Sequence, residues 1–280
     1  MNSGLEWGVL ALYLAGSILQ AAYVVGRRER AYRVGLLLLR MGFGVHSLAI
    51  LAAWKAWGVF PAVGLGQSLS VAAWGLMGAL LIYNLRSQVR ILPALVGPLC
   101  VAALMAAAWS APPAVPPRAL RSLWVTVHVI CLMHGYGLLA LTFLGSLLYL
   151  VQEARLRAGR LDGLSERLPS LARLDGLIAK TLVVGFGFMT LGMIAGMVYA
   201  QLTLGSYWQW SPKEVWALIT WLLYAALLHV RLVSGWRGRR GAWLSVAAFA
   251  ALLFTFLGAG LLFGGYHSFH SLTHWGGSLR

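Results

Sequence analysis

Acidic residues are scarce in this chain: seven Asp and Glu stand against 22 Lys and Arg in 280 residues, and charged residues together make up only 10% of it. A soluble domain carries about 25%, so a water-facing surface is excluded for most of the molecule. Cysteine is scarcer still. Cys100 and Cys131 each sit inside an apolar run and neither belongs to a C-x-x-C pair, which excludes a disulfide framework and a dithiol redox centre. A single basic patch is also missing. Although the formal net charge is +15, the Lys and Arg are spread over short loops and are not interleaved with aromatics, so nucleic acid is excluded as a partner.

What fills the chain is apolar residues, 60% of the total. Runs of spanning length, about 20 residues, fall at 6–25, 35–54, 66–85, 91–109, 122–150, 177–201, 213–233 and 242–264. The fold expected is all-α: one polytopic integral membrane helix bundle over residues 1–280, with eight transmembrane helices embedded in a lipid bilayer. No basic residue precedes the first run, and Arg27, Arg28, Arg30 and Arg33 come after it, so it reads as a retained helix with its N-terminus outside. Alternating from there, the inner side receives the connectors 26–34, 86–90, 152–176 and 231–241, and with helix-end residues 17 of the 22 Lys and Arg. This is the positive-inside pattern, and it requires an even helix count and an outer C-terminus. The connector 152–176 reads as a short amphipathic link with a turn at Pro169, and APPAVPPR at 111–118 as an irregular outer loop. Gly185, Gly192 and Gly196 in the sixth run, and Gly260 and Gly264 in the eighth, read as close-packing positions. No inverted repeat of the transporter kind is evident.

The most informative stretch runs from Gly205 to His229, GSYWQWSPKEVWALITWLLYAALLH. Ser211, Pro212 and Glu214 spell a helix start: an N-cap, a proline at the first helical position, and the acidic partner of a capping box. Tyr207, Trp208 and Trp210 then lie in a loop at the level where amphipathic rings are favoured, with Trp216 and Trp221 on the helix it opens. An interfacial aromatic belt accounts for several of these rings but not for their fusion to a capped helix start.

This stretch closely resembles the tryptophan-rich "WWD" segment of the cytochrome c assembly family, haem-handling membrane proteins, and most closely its CcsA and HemX branches, which share the Pro-Lys-Glu-x-Trp-Ala step. The resemblance covers best residues 120–270, a haem-handling core with its Trp-rich loop at 203–216; the first four helices, 1–110, match by hydropathy alone. The family usually carries Asp where this chain has Ser211. Both residues cap helices well, so the cap is kept while one negative charge is lost. With no C-x-x-C-H in the chain, the haem implied is haem b held non-covalently.

The resemblance implies a haem site on the outer, periplasmic side of a bacterial cytoplasmic membrane, with one histidine before the Trp-rich segment and one after it as iron ligands. His128 and His267 fall at those places, and the helix count independently puts both on the face of the Trp-rich loop. Tyr207, Trp208, Trp210 and Trp216 would wall the haem, and Lys213, Arg121 or the capped helix start would meet its propionates. A helix–helix hydrogen bond for His128 and an interfacial anchor for His267 remain alternatives. His229 lies 17 residues after Pro212, roughly 25 Å deeper. In the CcsA branch a histidine there is implicated in taking haem from within the membrane; the other reading is a plain interfacial helix end with Arg231. His46, near mid-membrane, reads either as a second intramembrane ligand or as a buried hydrogen-bonding group. His134 is about 240° round the helix from His128 and reads as packing. His270 and His274 read as a polar tail, with a divalent metal site as the alternative.

The implied partners are a ResB/CcsB-type membrane protein and apocytochrome c. No nucleophile or base for thioether formation is evident, so this chain would present haem as a subunit of a haem lyase and not perform the chemistry alone. Two further functions stay open: HemX-like control of glutamyl-tRNA reductase through the 152–176 connector, and transport of another substrate.

Overall fold

The structure, a computed structural model, describes residues 3–86, 89–110, 120–159 and 167–262. Within them the chain forms eight helices and no strand. They are α1 (Ser3–Gly26), α2 (Glu29–Trp57), α3 (Leu65–Arg86), α4 (Leu92–Ala108), α5 (Leu123–Arg157), α6 (Leu171–Leu204), α7 (Pro212–Leu232) and α8 (Arg239–Leu262). The last contains a π turn at Phe254–Gly258.

Local chemistry sets the helix ends. The Ser122 hydroxyl accepts from the Trp124 amide to open α5, and Ser170 accepts from the Arg173 amide to open α6. Gly58 and Gly205 close α2 and α6 in the left-handed conformation that only glycine adopts without cost, and each donates its N–H back into the last turn.

Seven of the eight helices are long and apolar enough to span a membrane; α4, at 17 residues with Pro98 inside it, is shorter. Leu92, Val96 and Cys100 of α4 are buried, against α3 and α1. Outward faces carry Leu37, Leu48, Ile82, Val183, Leu191 and Leu222, all exposed. Large aliphatic side chains pointing out from an all-helical assembly are the surface of a membrane bundle.

The connector expected at 152–176 is much shorter. Residues 152–157 continue α5, and 171–176 already belong to α6. Their side chains are good helix formers, and Glu153 reaches Arg157 one turn on at 2.8 Å. Hydropathy marks where lipid ends, not where the helix ends.

The bundle has two halves, α1–α4 and α5–α8, joined where α5 packs on α3. Gly137 makes this possible on one side of α5: a Cβ there would lie 2.7 Å from the Gly75 carbonyl oxygen of α3. Two residues earlier Gly135 faces the other way, and its Cβ would lie 2.9 Å from the Met189 amide of α6. Helix α5 is thus in near-backbone contact with both neighbours, the arrangement small residues permit in lipid. Across the α5–α6 seam the buried hydroxyls of Thr142 and Thr181 are 2.8 Å apart.

Candidate functional site

The start of α5, the end of α6 and the start of α7 meet at one end of the bundle. His128 stands two turns into α5 and points at α6. Its Nδ1 donates to the Gly192 carbonyl oxygen at 2.7 Å. One turn further along α6, a Cβ on Gly196 would lie 2.5 Å from the same nitrogen. The Gly192-x-x-x-Gly196 pair, expected only to bring helices together, is the seat of this imidazole. Gly196 leaves room for the ring and Gly192 holds it. With Nδ1 committed to a carbonyl, Nε2 keeps the lone pair, the state in which histidine binds metal. The two alternatives for His128, helix–helix hydrogen bond or ligand, are therefore compatible: the first orients the second.

The Trp-rich loop is built by a polar network. The Ser211 hydroxyl accepts from the Glu214 amide, while Glu214 Oε2 accepts from the Ser211 amide at 2.9 Å and from the Gln209 amide at 3.0 Å. One carboxylate thus gathers the amides on both sides of Trp210, which takes a φ of 58°. A bulky side chain rarely adopts that conformation; here the hydrogen bonds around it enforce it. At the other end of the loop the Ser206 hydroxyl donates to the Trp208 carbonyl.

The result is a display of aromatic rings. Tyr207 and Trp210 are 56% and 75% exposed, whereas Trp208 is partly buried and meets Trp210 edge-on at 6.1 Å. The Trp208 indole N–H is buried with no partner among the described residues. Lys213, half-buried, is near enough for its charge to bear on the His128 ring. Arg121 lies beside Gly58, at the C-terminal end of α2. These residues come from separate parts of the chain, and they bring an imidazole, flat apolar faces and two basic side chains to one end of the bundle.

Trp216, in the first turns of α7, packs against Phe254 at 4.4 Å. That contact sits on the π turn of α8, where Thr255 is 2.8 Å from Thr220 and donates to the Trp216 carbonyl. An extra residue in the turn rotates the rest of the helix about its axis, so this feature sets the face that the last turn of α8 presents. Hydropathy carries no trace of it. His267, His270 and His274 lie outside the described residues, so His267 as an iron ligand and the two readings of the tail are untouched by the geometry.

The remaining histidines are dispersed. His46 is 3% exposed, with Nδ1 3.4 Å from the Tyr13 hydroxyl and Nε2 3.0 Å from the Ser70 hydroxyl, so both ring nitrogens are engaged between α1 and α3. His134 donates to the Ile130 carbonyl at 2.9 Å and meets Trp74 edge-on at 4.7 Å, as a packing residue would. His229 is exposed in the last turn of α7. Two residues on, Arg231 is buried and lies 2.7 Å from the Asp175 carboxylate of α6. Among the described residues no three His, Cys, Asp or Glu are grouped to hold a metal ion.

Comparison with known proteins agrees with this architecture. Residues 62–267 match the family model described as cytochrome C assembly protein. The chain is 35% identical over 295 aligned positions to the cytochrome c biogenesis protein CcsA of Parasynechococcus marenigrum (strain WH8102), covering 95% of each. It is 32% identical to the protein of the same name from Guillardia theta, covering 85% of this chain and 90% of the other. Among solved structures it is similar to the cytochrome c haem lyase CcmF, with a TM-score of 0.66 and 22% identity over 90% of this chain and 46% of that one. A membrane bundle of this helix order, with the Trp-rich loop capped onto α7 and relatives matched nearly end to end, places the chain in the cytochrome c assembly protein family.

Proposed function

We propose that this chain binds haem non-covalently beside the Trp-rich loop and holds it for delivery to apocytochrome c. The observation that carries the reading is the seat of His128, whose Nδ1 is tied to Gly192 and whose Nε2 is left with its lone pair. The bond joins two helices and at the same time fixes the tautomer in which Nε2 can serve as a ligand. The haem is cargo here, and its iron accepts axial nitrogen ligands. His128 offers one, and His267, beyond the described residues, is the proposed second.

Tyr207, Trp208 and Trp210 offer flat faces to the macrocycle, and Lys213 and Arg121 positive charge to its carboxylates. The indole N–H of Trp208, buried and without a partner among the described residues, is a donor suited to an acceptor on the haem. On the positive-inside distribution this face is periplasmic in a bacterial cytoplasmic membrane. His229, exposed near the opposite face, is proposed to meet haem on its way outward. The acceptor's C-x-x-C-H thiols, with a ResB/CcsB-type partner, would complete the attachment; this chain orients the haem and controls its iron ligation.

The test is the visible spectrum and pyridine haemochrome of the detergent-purified chain beside His128→Ala and His267→Ala. A six-coordinate spectrum that each substitution abolishes, and that free imidazole restores, is expected. Folded protein made in haem-sufficient cells that carries no haem would overturn the reading. Retained haem together with loss of glutamyl-tRNA reductase control on replacing the charges of 152–176 would favour the regulatory role instead.

A further inference from the structure

At the end of the bundle opposite the Trp-rich loop, a cleft of ≈ 590 Å³ opens between the end of α1, the start of α4 and the start of α6. Its polar lining is arginine: Arg27, Arg90, Arg167 and Arg173, with Glu29 and Tyr23. Its apolar lining is Val24, Ile91, Leu168 and Pro169.

The charges are unequally satisfied. Arg90 is held by Glu29 at 2.6 Å and lies over the Tyr32 ring at 5.3 Å, so the one carboxylate among the described lining residues is spent on it. Arg167 reaches across to the last turn of α1, donating to the Val24 carbonyl at 3.0 Å. That bond uses one of the five N–H donors of its guanidinium. Arg173 stands exposed in the first turn of α6. The other described carboxylates lie elsewhere: Asp175 and Glu153 pair with Arg231 and Arg157, Glu214 caps α7, and Glu6 is at the far end of α1. Among the described residues no carboxylate pairs with Arg167 or Arg173.

We propose that this cleft binds the headgroup of an anionic phospholipid. The phosphate would be received by Arg167 and Arg173, whose forked donors suit its oxygens. Val24, Ile91 and Leu168 would take the glycerol and the upper acyl chain. Three features select a lipid over a free phosphate. The cleft lies at the ends of membrane-spanning helices, where headgroups reside. Its wall is half apolar. Basic pockets between helices on the side that collects Lys and Arg recognise such headgroups. None of the described residues lining the cleft is His or Cys, which separates it from the haem site.

The experiment uses the full chain, purified in neutral detergent and depleted of lipid, with thermal unfolding followed during titration. The probes are dioctanoyl phosphatidylglycerol, dioctanoyl phosphatidylcholine and inorganic phosphate. Phosphatidylglycerol should raise the unfolding temperature saturably, and the other two should not. Arg173→Gln should weaken the apparent affinity about fivefold, and the Arg167→Gln, Arg173→Gln double variant several times more. Arg173→Gln removes no bond to the protein among those described, so its own unfolding temperature should stay near that of the parent and its loss of lipid response can be read directly. An equal response to both lipids, an equal response to phosphate alone, or an unchanged affinity in Arg173→Gln would each overturn the assignment.

Discussion

His128 and Gly196 face each other across the α5–α6 seam so closely that a single added carbon on the glycine would lie 2.5 Å from the ring nitrogen. The position of the imidazole is therefore set by a residue with no side chain. Gly196→Ala should displace the ring without removing it. The expected result is a weakened or five-coordinate haem spectrum that free imidazole restores, with an overpacking cost of about 1–3 kcal/mol in unfolding. Combined with His128→Ala, the effect of Gly196→Ala on the spectrum should vanish, because the two act on one contact.

Glu214 holds the loop from inside the helix. Glu214→Ala removes two hydrogen bonds to a charged acceptor, each worth about 1.5–3 kcal/mol, and frees Trp210 to leave its left-handed backbone. Haem retention should fall further than thermal stability does. Ser211→Asp, which restores the usual residue of the family, should keep the cap and add about 0.3–1 kcal/mol at the helix N-terminus. A thermal melt of each variant in detergent, beside its haem content, checks both.

His46 is the means of telling a structural histidine from a haem-handling one. Removing it leaves the buried hydroxyls of Tyr13 and Ser70 short of a partner, at about 1–3 kcal/mol each. His46→Gln, which can keep one of these bonds, should recover part of that loss. If the role is structural, haem content per folded protein stays level in both variants. A fall in haem content without a fall in unfolding temperature would instead assign His46 to the haem path.

Arg231 and Asp175 lock the lower end of α7 to α6, with Arg231 only 6% exposed and Asp175 26%. Asp175→Asn strands a buried cation, and because the acid is partly exposed the cost should lie toward the low end of about 3–5 kcal/mol. Arg231→Met with Asp175→Leu should recover most of it. His229, exposed on the same turn, should give no comparable loss of stability when replaced, so a drop in haem delivery in His229→Ala reads directly on function.

Much of this was legible in the residues themselves. Eight apolar runs became eight helices, and Ser211, Pro212 and Glu214 formed the expected capping box, because capping is decided within four residues. The resemblance of Gly205–His229 to the assembly family agrees with the family match, which includes that stretch. Misplaced boundaries, as at 152–176, share one cause: hydropathy reports the solvent, while helix continuity depends on backbone propensity and i,i+4 pairing. The roles of individual histidines were less legible, since His46, His128 and His134 look alike as single polar residues in apolar runs.

Composition and local pattern were enough for the solvent the protein lives in, the number of helices, and the start of α7, because each depends on neighbours along the chain. Tertiary packing alone decided which face of α5 meets α6, that Gly192 and Gly196 receive His128, that Tyr13 and Ser70 occupy both nitrogens of His46, and that a π turn in α8 lies against Trp216. Each of those contacts joins residues at least 24 positions apart. Their geometry is set by how closely whole helices approach, which no local pattern encodes.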